Sequence, residues 1–464
     1  MRRNAWCIGM LAGLLAACGS DTTQGGQDMS GNAGGDMTVA TADMAVATAD
    51  MVPACGPPPS GFSLVVPDPG KKGVGLHTSL ALDEMNDPLI AYDSIAPGGD
   101  AMASVLYFTR WGRCEGKWLS PIMVDTVHDV IGNGDHQVTI AYDASTKTLG
   151  IAYIKVLPQG TVGGGNGPNG TPATWLATST DNGKTWSTQQ VSKHDPNAQG
   201  DIQATENPAL AMVGGKVYIV YAQGNVQCDA ETTCNSTWFV DFTTPASATR
   251  TLIPYAGSAI HSRTSAPNKI AVDSGGTPAL ALFAAPPTAY NTTLVYWRMG
   301  MTAAVKVTDS MNNQNDGPTT RLAFDGLKPR ITAMLTQPKE SGAPLFIASD
   351  DGMTWGARTL LPDGINSGEL AMSIDASHRI VIATELGGNT QGDATCGKPR
   401  TMVSTNASTF APCGLNGIPT SEHRAVGFLG SVMGSDGKLS LAFYEGTDPG
   451  EASTDDGVTY WREP

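Results

Sequence analysis

One short pattern recurs along most of the chain, and this repetition limits the possible folds more than any other feature. Each copy has the form of a β-hairpin: an apolar run, a turn that usually carries Asp or Gly, and a second apolar run. The copies start at intervals of 50 to 70 residues and are LALDEMNDPLIAY (80–92), IAYDASTKTLGIAY (140–153), LAMVGGKVYIVY (210–221), IAVDSGGTPALALF (270–283), LAFDGLKPRITAML (322–335), MSIDASHRIVIAT (372–384) and VMGSDGKLSLAFY (432–444). Repeats of this length and type indicate an array of small β-sheets.

The repeat predicts an all-β fold, a seven-bladed β-propeller of four-stranded antiparallel blades, with six blades as the alternative. A further apolar run follows each hairpin, and the 55 Gly and 30 Pro favour many turns over long helices. The last unit has little room for a fourth strand before residue 464. The segment FSLVVP (62–67) resembles the fourth strands TLIP (251–254) and TLLP (359–362). We therefore predict that this N-terminal strand completes blade seven and closes the ring.

The first 56 residues differ in composition from the repeats. Two basic residues precede an apolar stretch that ends in Leu15-Ala16-Ala17-Cys18, which resembles a bacterial lipobox. The resemblance implies a lipoprotein signal peptide over residues 1–17 and a lipid on Cys18. Residues 18–56 have low complexity, as in DMTVATADMAVATADM (36–51), and predict a tether before the propeller of residues 57–464. The expected location is the cell envelope, at the outer membrane or cell surface, with membrane contact only through the lipid.

Six cysteines remain once Cys7 leaves with the signal peptide and Cys18 is lipidated, and an even number in an exported protein predicts disulfides. Two pairs are close in sequence and the third pair is what remains. The predicted bonds are Cys228–Cys234, Cys396–Cys413 and Cys55–Cys114.

The net charge of −15 disfavours nucleic acid as a partner, because an acidic surface repels phosphate. No metal-ligand spacing is evident, so no cofactor is expected, although structural calcium at an acidic loop stays open. The chain is expected to act as a monomer.

The stretch STDNGKTWS (179–187) returns as ASDDGMTW (348–355) and STDDGVTY (453–460), each time in a predicted turn between the third and fourth strands of a blade. This form resembles the Asp box of the sialidase-like (BNR-repeat) propellers. An Asp in such a turn accepts backbone N–H bonds, Gly tolerates positive φ, and the aromatic residue packs between sheets. A structural role is therefore predicted for Asp181, Gly183, Trp186, Asp350, Gly352, Trp355, Asp455, Gly457 and Tyr460.

The loops differ between the two faces of the predicted ring. The strand 1–2 and 3–4 turns define one face, here called the turn face, and they are short. The 2–3 and 4–1 connections define the opposite loop face. Several of them are long, such as residues 156–173 and 254–267. Long loops on a rigid scaffold usually carry function, so the site is predicted on the loop face.

Titratable residues collect towards the loop face, and the sialidase resemblance implies roles for some of them. It implies a Tyr nucleophile, an Asp acid/base and an Arg cluster for the substrate carboxylate. The segment that matches the family's first Arg motif contains His77 instead, so that Arg is missing. The catalytic candidates are Asp93, Tyr444, Glu445, His77 and His136. The substrate-binding candidates are Arg263, Arg321, Arg424, His423, Glu206 and Glu369.

The sequence thus predicts a surface-anchored lipoprotein whose loop face binds extracellular glycans, or binds and cleaves them. As an enzyme it would be a glycoside hydrolase of the exo-sialidase type or a polysaccharide lyase. The alternative is a non-catalytic propeller scaffold for protein–protein interaction at the cell surface. An enzyme would bring titratable groups together in a pocket, whereas a scaffold would expose an apolar patch.

Overall fold

The chain divides into two compact units, Met1–Val52 and Pro53–Pro464. Cys18 and the rest of the first unit lie outside the residues that the structure, a computed structural model, describes. The described residues are 55–65, 76–95, 104–127, 138–157, 171–193, 205–227, 233–255, 258–259, 269–284, 291–308, 311–312, 320–334, 344–361, 370–384, 400–412, 415, 424–425, 429–446 and 457–464.

These residues form short strands and one 3-10 helix at Pro245–Ser247. The strand β1 (Gly61–Leu64) comes first. Blade one contains β2 (Leu76–Leu82), β3 (Pro88–Ile95), β4 (Ser104–Gly112), β5 (Lys117–Trp118) and β6 (Ile122–Val127). Blade two contains β7 (Thr139–Asp143), β8 (Thr148–Leu157), β9 (Thr171–Ser179) and β10 (Ser187–Gln190). Blade three contains β11 (Thr205–Val213), β12 (Lys216–Gln227), β13 (Thr233–Asp241) and β14 (Thr249–Leu252).

The remaining blades continue the same order. A small hairpin of β15 (Pro254–Tyr255) and β16 (Ser258–Ala259) precedes blade four. Blade four contains β17 (Lys269–Val272), β18 (Pro278–Ala284), β19 (Asn291–Arg298), β20 (Val305–Lys306) and β21 (Met311–Asn312). Blade five contains β22 (Thr320–Asp325), β23 (Lys328–Met334), β24 (Pro344–Ala348) and β25 (Thr359–Leu360). Blade six contains β26 (Leu370–Ile374), β27 (Ile380–Thr384), β28 (Arg400–Ser404) and β29 (Ala411–Pro412). Blade seven contains β30 (Arg424–Ala425), β31 (Gly430–Met433), β32 (Leu439–Gly446) and β33 (Gly457–Arg462).

The strand pairing confirms the predicted seven-bladed all-β propeller, because each blade is a separate antiparallel sheet. The first strands of successive blades contact one another around the ring, and β31 of blade seven returns to contact β2 of blade one. The closing strand is also as predicted. β1 pairs with β33 as the outer strand of blade seven, with Ser63 opposite Tyr460. The ring therefore has no open edge at the point where its two ends meet.

The apolar second strands explain how the blades adhere to each other. All seven residues of β18 are buried, so this strand is a continuous apolar run and does not alternate with polar residues. Its odd and even positions point to opposite sides of the sheet. Leu280 and Leu282 pack in the seam with blade three, while Ala281 and Phe283 pack in the seam with blade five. Each such fully buried Leu or Phe contributes about 1.5–3 kcal/mol.

A disulfide joins Cys55 to Cys114, as predicted. Cys114 lies in the turn that follows β4, and the Gly56 amide donates to the Arg113 carbonyl at 3.1 Å beside it. The bond ties the segment before the closing strand to blade one. The cysteines of the other two predicted pairs, Cys228, Cys234, Cys396 and Cys413, have side chains outside the described residues.

The Asp-box turn of blade two fastens this blade to blade one. Both oxygens of Asp181 accept bonds from Thr185, at 2.9 Å from its amide and 2.7 Å from its hydroxyl. Gly183 has a φ of 80°, and a Cβ there would lie 2.1 Å from the ring of Phe108 in blade one. The Trp186 ring meets Phe108 edge-on at 5.2 Å. The turn thus locks an aromatic pair across the seam.

Blade five has the same device, with one correction to the predicted residues. The carboxylate that accepts the amides of Met353 and Thr354 belongs to Asp351, at 2.8 and 2.7 Å. Asp350, the residue predicted for this role, is 79% exposed and lies 3.3 Å from Lys328. The turn is one residue shorter than in blade two, and this moves the acceptor by one position. Gly352 and Trp355 do meet an aromatic residue of the preceding blade, Tyr296.

Blade six carries a related turn that the sequence analysis missed. Asn406 replaces the Asp and accepts the amides of Ser408 and Thr409 at 3.0 and 2.9 Å. Ala407 takes the Gly position with a φ of 56°. Phe410 then packs against Phe346 of blade five, with ring centroids 5.0 Å apart.

The prediction for blade seven was wrong. Gly457 and Tyr460 do not lie in a strand 3–4 turn but in β33, the third strand of the blade. Tyr460 is fully buried and its hydroxyl lies 2.8 Å from that of Ser440. A strand is favoured here because GVTYWR must pair with β32 on one side and β1 on the other. Asp455 lies outside the described residues.

Candidate functional site

The loop-face end of blade one brings two of the predicted catalytic residues together. His77 stands at the start of β2 and Asp93 near the end of β3, where both strands border connections on the loop face. The His77 Nδ1 atom lies 3.1 Å from Asp93 Oδ2. Both side chains are largely buried, with 12% and 11% of their surface exposed. They form an imidazole–carboxylate pair.

The backbone of β2 is irregular where it presents His77. The pairing of β2 with β3 slips between Leu76 and Ser79, which is a β-bulge. His77 itself has a φ of 56°, a left-handed conformation that costs about 1–2 kcal/mol for a non-glycine residue. Blade three shows the same bulge before Ala209, with Asn207 at a φ of 49°. Bulges of this kind re-aim side chains and are frequent beside functional sites.

Asp93 has one oxygen without a hydrogen-bond partner. The residue is 8% exposed, and its Oδ1 atom is buried and meets no donor in the described part of the chain. A buried acceptor left unpaired usually costs about 1–3 kcal/mol. Such a group suits a place where a ligand supplies the missing donor.

Asp93 belongs to a row of residues that faces blade two. The pairing places Asp93 opposite Leu106, and Leu106 opposite Asp125. Paired residues in neighbouring strands share one side of a sheet. Leu106 packs in the seam between blades one and two, so the two carboxylates face this seam as well. Strands lie 4.7–4.9 Å apart, which sets the backbones of Asp93 and Asp125 about 10 Å apart.

Two side chains of β8 in blade two form hydrogen bonds with Asp125 of blade one. The Tyr153 hydroxyl donates to Asp125 Oδ2 at 2.6 Å. Lys155 Nζ donates to both carboxylate oxygens, at 3.0 and 2.8 Å. The pKa of Tyr153 is raised well above its usual value, mainly by burial and to a smaller extent by the bond to Asp125. This phenol therefore stays protonated.

An indole ring completes the described part of this seam. Trp175 of β9 pairs with Tyr153 across the sheet, and Lys155 Nζ lies 5.0 Å from the centre of its ring. The Trp175 Nε1 atom is buried and has no acceptor among the described residues. We call the group of His77, Asp93, Asp125, Tyr153, Lys155 and Trp175 the one–two seam site.

The other predicted site residues have different positions. Arg321 is buried in β22 of blade five, where its Nη1 atom donates to the Thr320 carbonyl at 2.8 Å. Tyr444 is 1% exposed within β32 of blade seven. Glu206, Arg424 and Glu445 have their backbone in β11, β30 and β32, and their side chains lie outside the described residues. His136, Arg263, Glu369 and His423 lie wholly outside them.

Four residues of the one–two seam site were not predicted from the sequence: Asp125, Tyr153, Lys155 and Trp175. One signal was present, because Lys155 interrupts the apolar run IAYIKVL of a second strand. A charged side chain in a buried strand needs a partner. The partner, Asp125, lies 30 residues earlier in another blade, and no sequence spacing connects the two.

No helix in the described ranges is long and apolar enough to cross a membrane. No group of three His, Cys, Asp or Glu residues in the same ranges is placed to hold a metal ion.

Comparison with known proteins gives matches in structure only. No protein-family model and no curated protein sequence matches the chain. A protein of unknown function from Dyadobacter fermentans has a TM-score of 0.47 at 10% identity, over 87% of this chain and 97% of that one. An α-L-arabinofuranosidase from Fusarium graminearum has a TM-score of 0.46 at 11% identity, over 88% and 98%. The Trypanosoma rangeli sialidase has a TM-score of 0.43 at 13% identity, over 74% of this chain and 56% of that one. The chain thus spans little more than half of the trypanosomal enzyme.

Proposed function

We propose that the loop face of this propeller binds glycans and that the His77–Asp93 pair is part of the binding site. The contact of 3.1 Å between these two buried side chains carries the proposal. Sugar hydroxyls both donate and accept hydrogen bonds, and the buried Oδ1 atom of Asp93, which meets no donor in the described residues, can accept one. The indole ring of Trp175, which lies across the sheet from Tyr153 in the same seam, suits the apolar face of a sugar.

A glycan array with the fragment 53–464, which is one compact unit and keeps Cys55, tests this proposal. We expect binding of at least one glycan class by the wild-type fragment and at least a tenfold loss on His77→Asn. Asp351→Asn, on the turn face, serves as the matched control and should bind like wild type. If the wild-type fragment binds no glycan on the array, the proposal is wrong.

Cleavage of the bound glycan is the second candidate, and the same pair favours it. An imidazole held by a buried carboxylate is a common arrangement for acid/base catalysis. A panel of chromogenic glycosides measures this directly. Turnover that His77→Asn abolishes supports an enzyme, whereas tight binding without turnover assigns the site to recognition alone.

Among the described residues, the loop face gives no comparable support for a non-catalytic protein scaffold. The large apolar side chains that the described residues expose lie on the outer strands or on the turn face. They are Leu64, Met123, Leu252 and Leu360 on outer strands, and Met85, Met299, Leu327 and Met353 at turns.

We further propose that the protein is exported and held at the cell envelope by a lipid on Cys18. The support is the Leu15-Ala16-Ala17-Cys18 sequence behind a basic start. In the native host, Cys18→Ser should abolish labelling by radioactive palmitate and release the protein from the membrane fraction. Membrane association that survives this substitution contradicts the proposal.

A further inference from the structure

We infer that the one–two seam site accepts a neutral, hydroxyl-bearing sugar and rejects a sugar that carries a carboxylate. This inference rests on the proposed glycan-binding function and specifies the substrate class of that same site. It follows from the charges and the unpaired atoms of the site.

The cation of the site, the ammonium group of Lys155, already has a carboxylate partner within the site. Lys155 donates to both oxygens of Asp125, at 3.0 and 2.8 Å, and only 22% of the lysine side chain is exposed. The Tyr153 hydroxyl donates its hydrogen bond to the same carboxylate. Asp125 therefore neutralises Lys155, and a ligand carboxylate would have to displace this buried pair to gain a cation.

The other carboxylate of the site, Asp93, has one oxygen that receives no hydrogen bond from the described residues. Asp93 is 8% exposed, and its Oδ1 atom has no partner among the described residues while Oδ2 meets His77. A hydroxyl can donate to this oxygen, whereas an ionised carboxylate has only acceptors. A second negative charge near a buried carboxylate is repelled strongly, because the low dielectric of the seam weakens screening.

The unpaired donor on the other side of the seam fits the same ligand. Trp175 Nε1 is buried without an acceptor in the described residues, and its indole ring lies beside Lys155. A neutral sugar carries several hydroxyls that both donate and accept. A hydroxyl can therefore satisfy either unpaired atom, Asp93 Oδ1 or Trp175 Nε1, without adding charge.

The test uses glycan pairs that differ in a carboxylate alone: hexosides beside the matching hexuronides, in which the C6 hydroxymethyl group is replaced by a carboxylate. Dissociation constants are measured with the fragment 53–464. We expect the neutral member of each pair to bind at least tenfold more tightly. Asp93→Ala should weaken binding of the neutral member at least tenfold, and Asp351→Asn on the turn face should not.

Asp93→Asn provides the decisive variant, because it removes the charge and keeps the shape. The preference for the neutral member should shrink at least threefold in this variant, and thermal unfolding should show that it is folded. Tighter binding of the acidic members by wild type overturns the inference and leaves glycan binding intact. Neutral binding that survives Asp93→Ala overturns the assignment to this seam. Failure to bind any glycan overturns the proposed function itself.

Discussion

One carboxylate on the turn face and one on the loop face differ in how their oxygens are satisfied. Asp181 on the turn face is only partly buried, and both of its oxygens accept bonds within its own turn. Asp93 on the loop face is buried, yet one of its oxygens accepts none from the described residues. Local turns satisfy their own polar groups and need nothing else. A buried group left unsatisfied costs stability and is kept where a ligand can use it.

The same contrast holds for backbone strain. Positive φ on the turn face falls mostly on glycines, such as Gly183 and Gly352, where it costs little. On the loop face it falls on His77, where the side chain matters. Changes at the turn face should therefore reduce stability and spare binding, and changes at the loop face should do the reverse. Four predictions test this division.

The largest effect on stability is expected from the disulfide near the ring closure. Cys55 and Cys114 are 59 residues apart, and the chain-entropy account gives about 4 kcal/mol for a loop of this length. The double variant Cys55→Ser/Cys114→Ser should lose roughly that free energy of unfolding in urea, with glycan binding unchanged below the transition. Each single variant should lose as much as the double. A loss below about 1 kcal/mol would show that β1 closes the ring unaided.

Next comes the glycine of the blade two turn. Gly183→Ala forces a Cβ to within 2.1 Å of Phe108 and adds the cost of positive φ, so about 2–4 kcal/mol should be lost. Gly437→Ala is the matched control, since its φ of 74° is similar but no atom lies within 4 Å. It should lose only about 1 kcal/mol. Equal losses in chemical unfolding would show that the contact with Phe108 is not tight.

A smaller, pH-dependent effect is expected at Asp181. The bonds from Thr185 hold the pKa of Asp181 well below its usual value, so the ionised form stabilises the fold above the ordinary Asp pKa and is lost as the pH falls through the folded value. Asp181→Asn should thus be less stable than wild type at pH 7, and the difference should narrow as the pH drops below about 4. Thermal unfolding from pH 7 to pH 2 measures this. If the stability difference between the two proteins does not change with pH, it arises from the geometry of the asparagine amide and not from the charge of Asp181.

The smallest effect on stability is expected at His77. Asparagine tolerates the left-handed region and already occupies the equivalent bulge as Asn207, so His77→Asn should change the unfolding free energy by less than about 1 kcal/mol. Its effect on glycan binding should be the large one. A stability loss above about 2 kcal/mol together with retained binding would reverse the assignment of the two faces.

The fold was largely predictable from the sequence because the blades repeat. Alternate residues of each apolar second strand, such as Leu280 and Ala281, serve two seams, and this requirement leaves a regular pattern. The errors occurred where the pattern is ambiguous. Asp350 and Asp351 are adjacent, and only the turn length decides which one accepts the backbone bonds. In blade seven, the end of the segment that resembles an Asp box forms the strand β33, because it pairs with both β1 and β32.

The candidate site was predictable only in part. His77 and Asp93 were identified as polar residues at strand ends, and they proved to be in contact. The partners that Lys155 and Trp175 find depend on how two blades are placed side by side. That placement is a property of the assembled ring and leaves no fixed spacing in the sequence, as Asp125 and Lys155 show.

The position of the disulfide has a mechanical consequence. Cys55 precedes the four-residue strand β1, which completes blade seven, while its partner Cys114 belongs to blade one. A pulling force on the chain before residue 55 therefore passes through the sulfur bridge into blade one before it can peel β1 away. The four-residue closing strand β1 is therefore shielded from most of this tension. We expect that, under load, the oxidised ring stays closed and the reduced ring opens at its N-terminal strand.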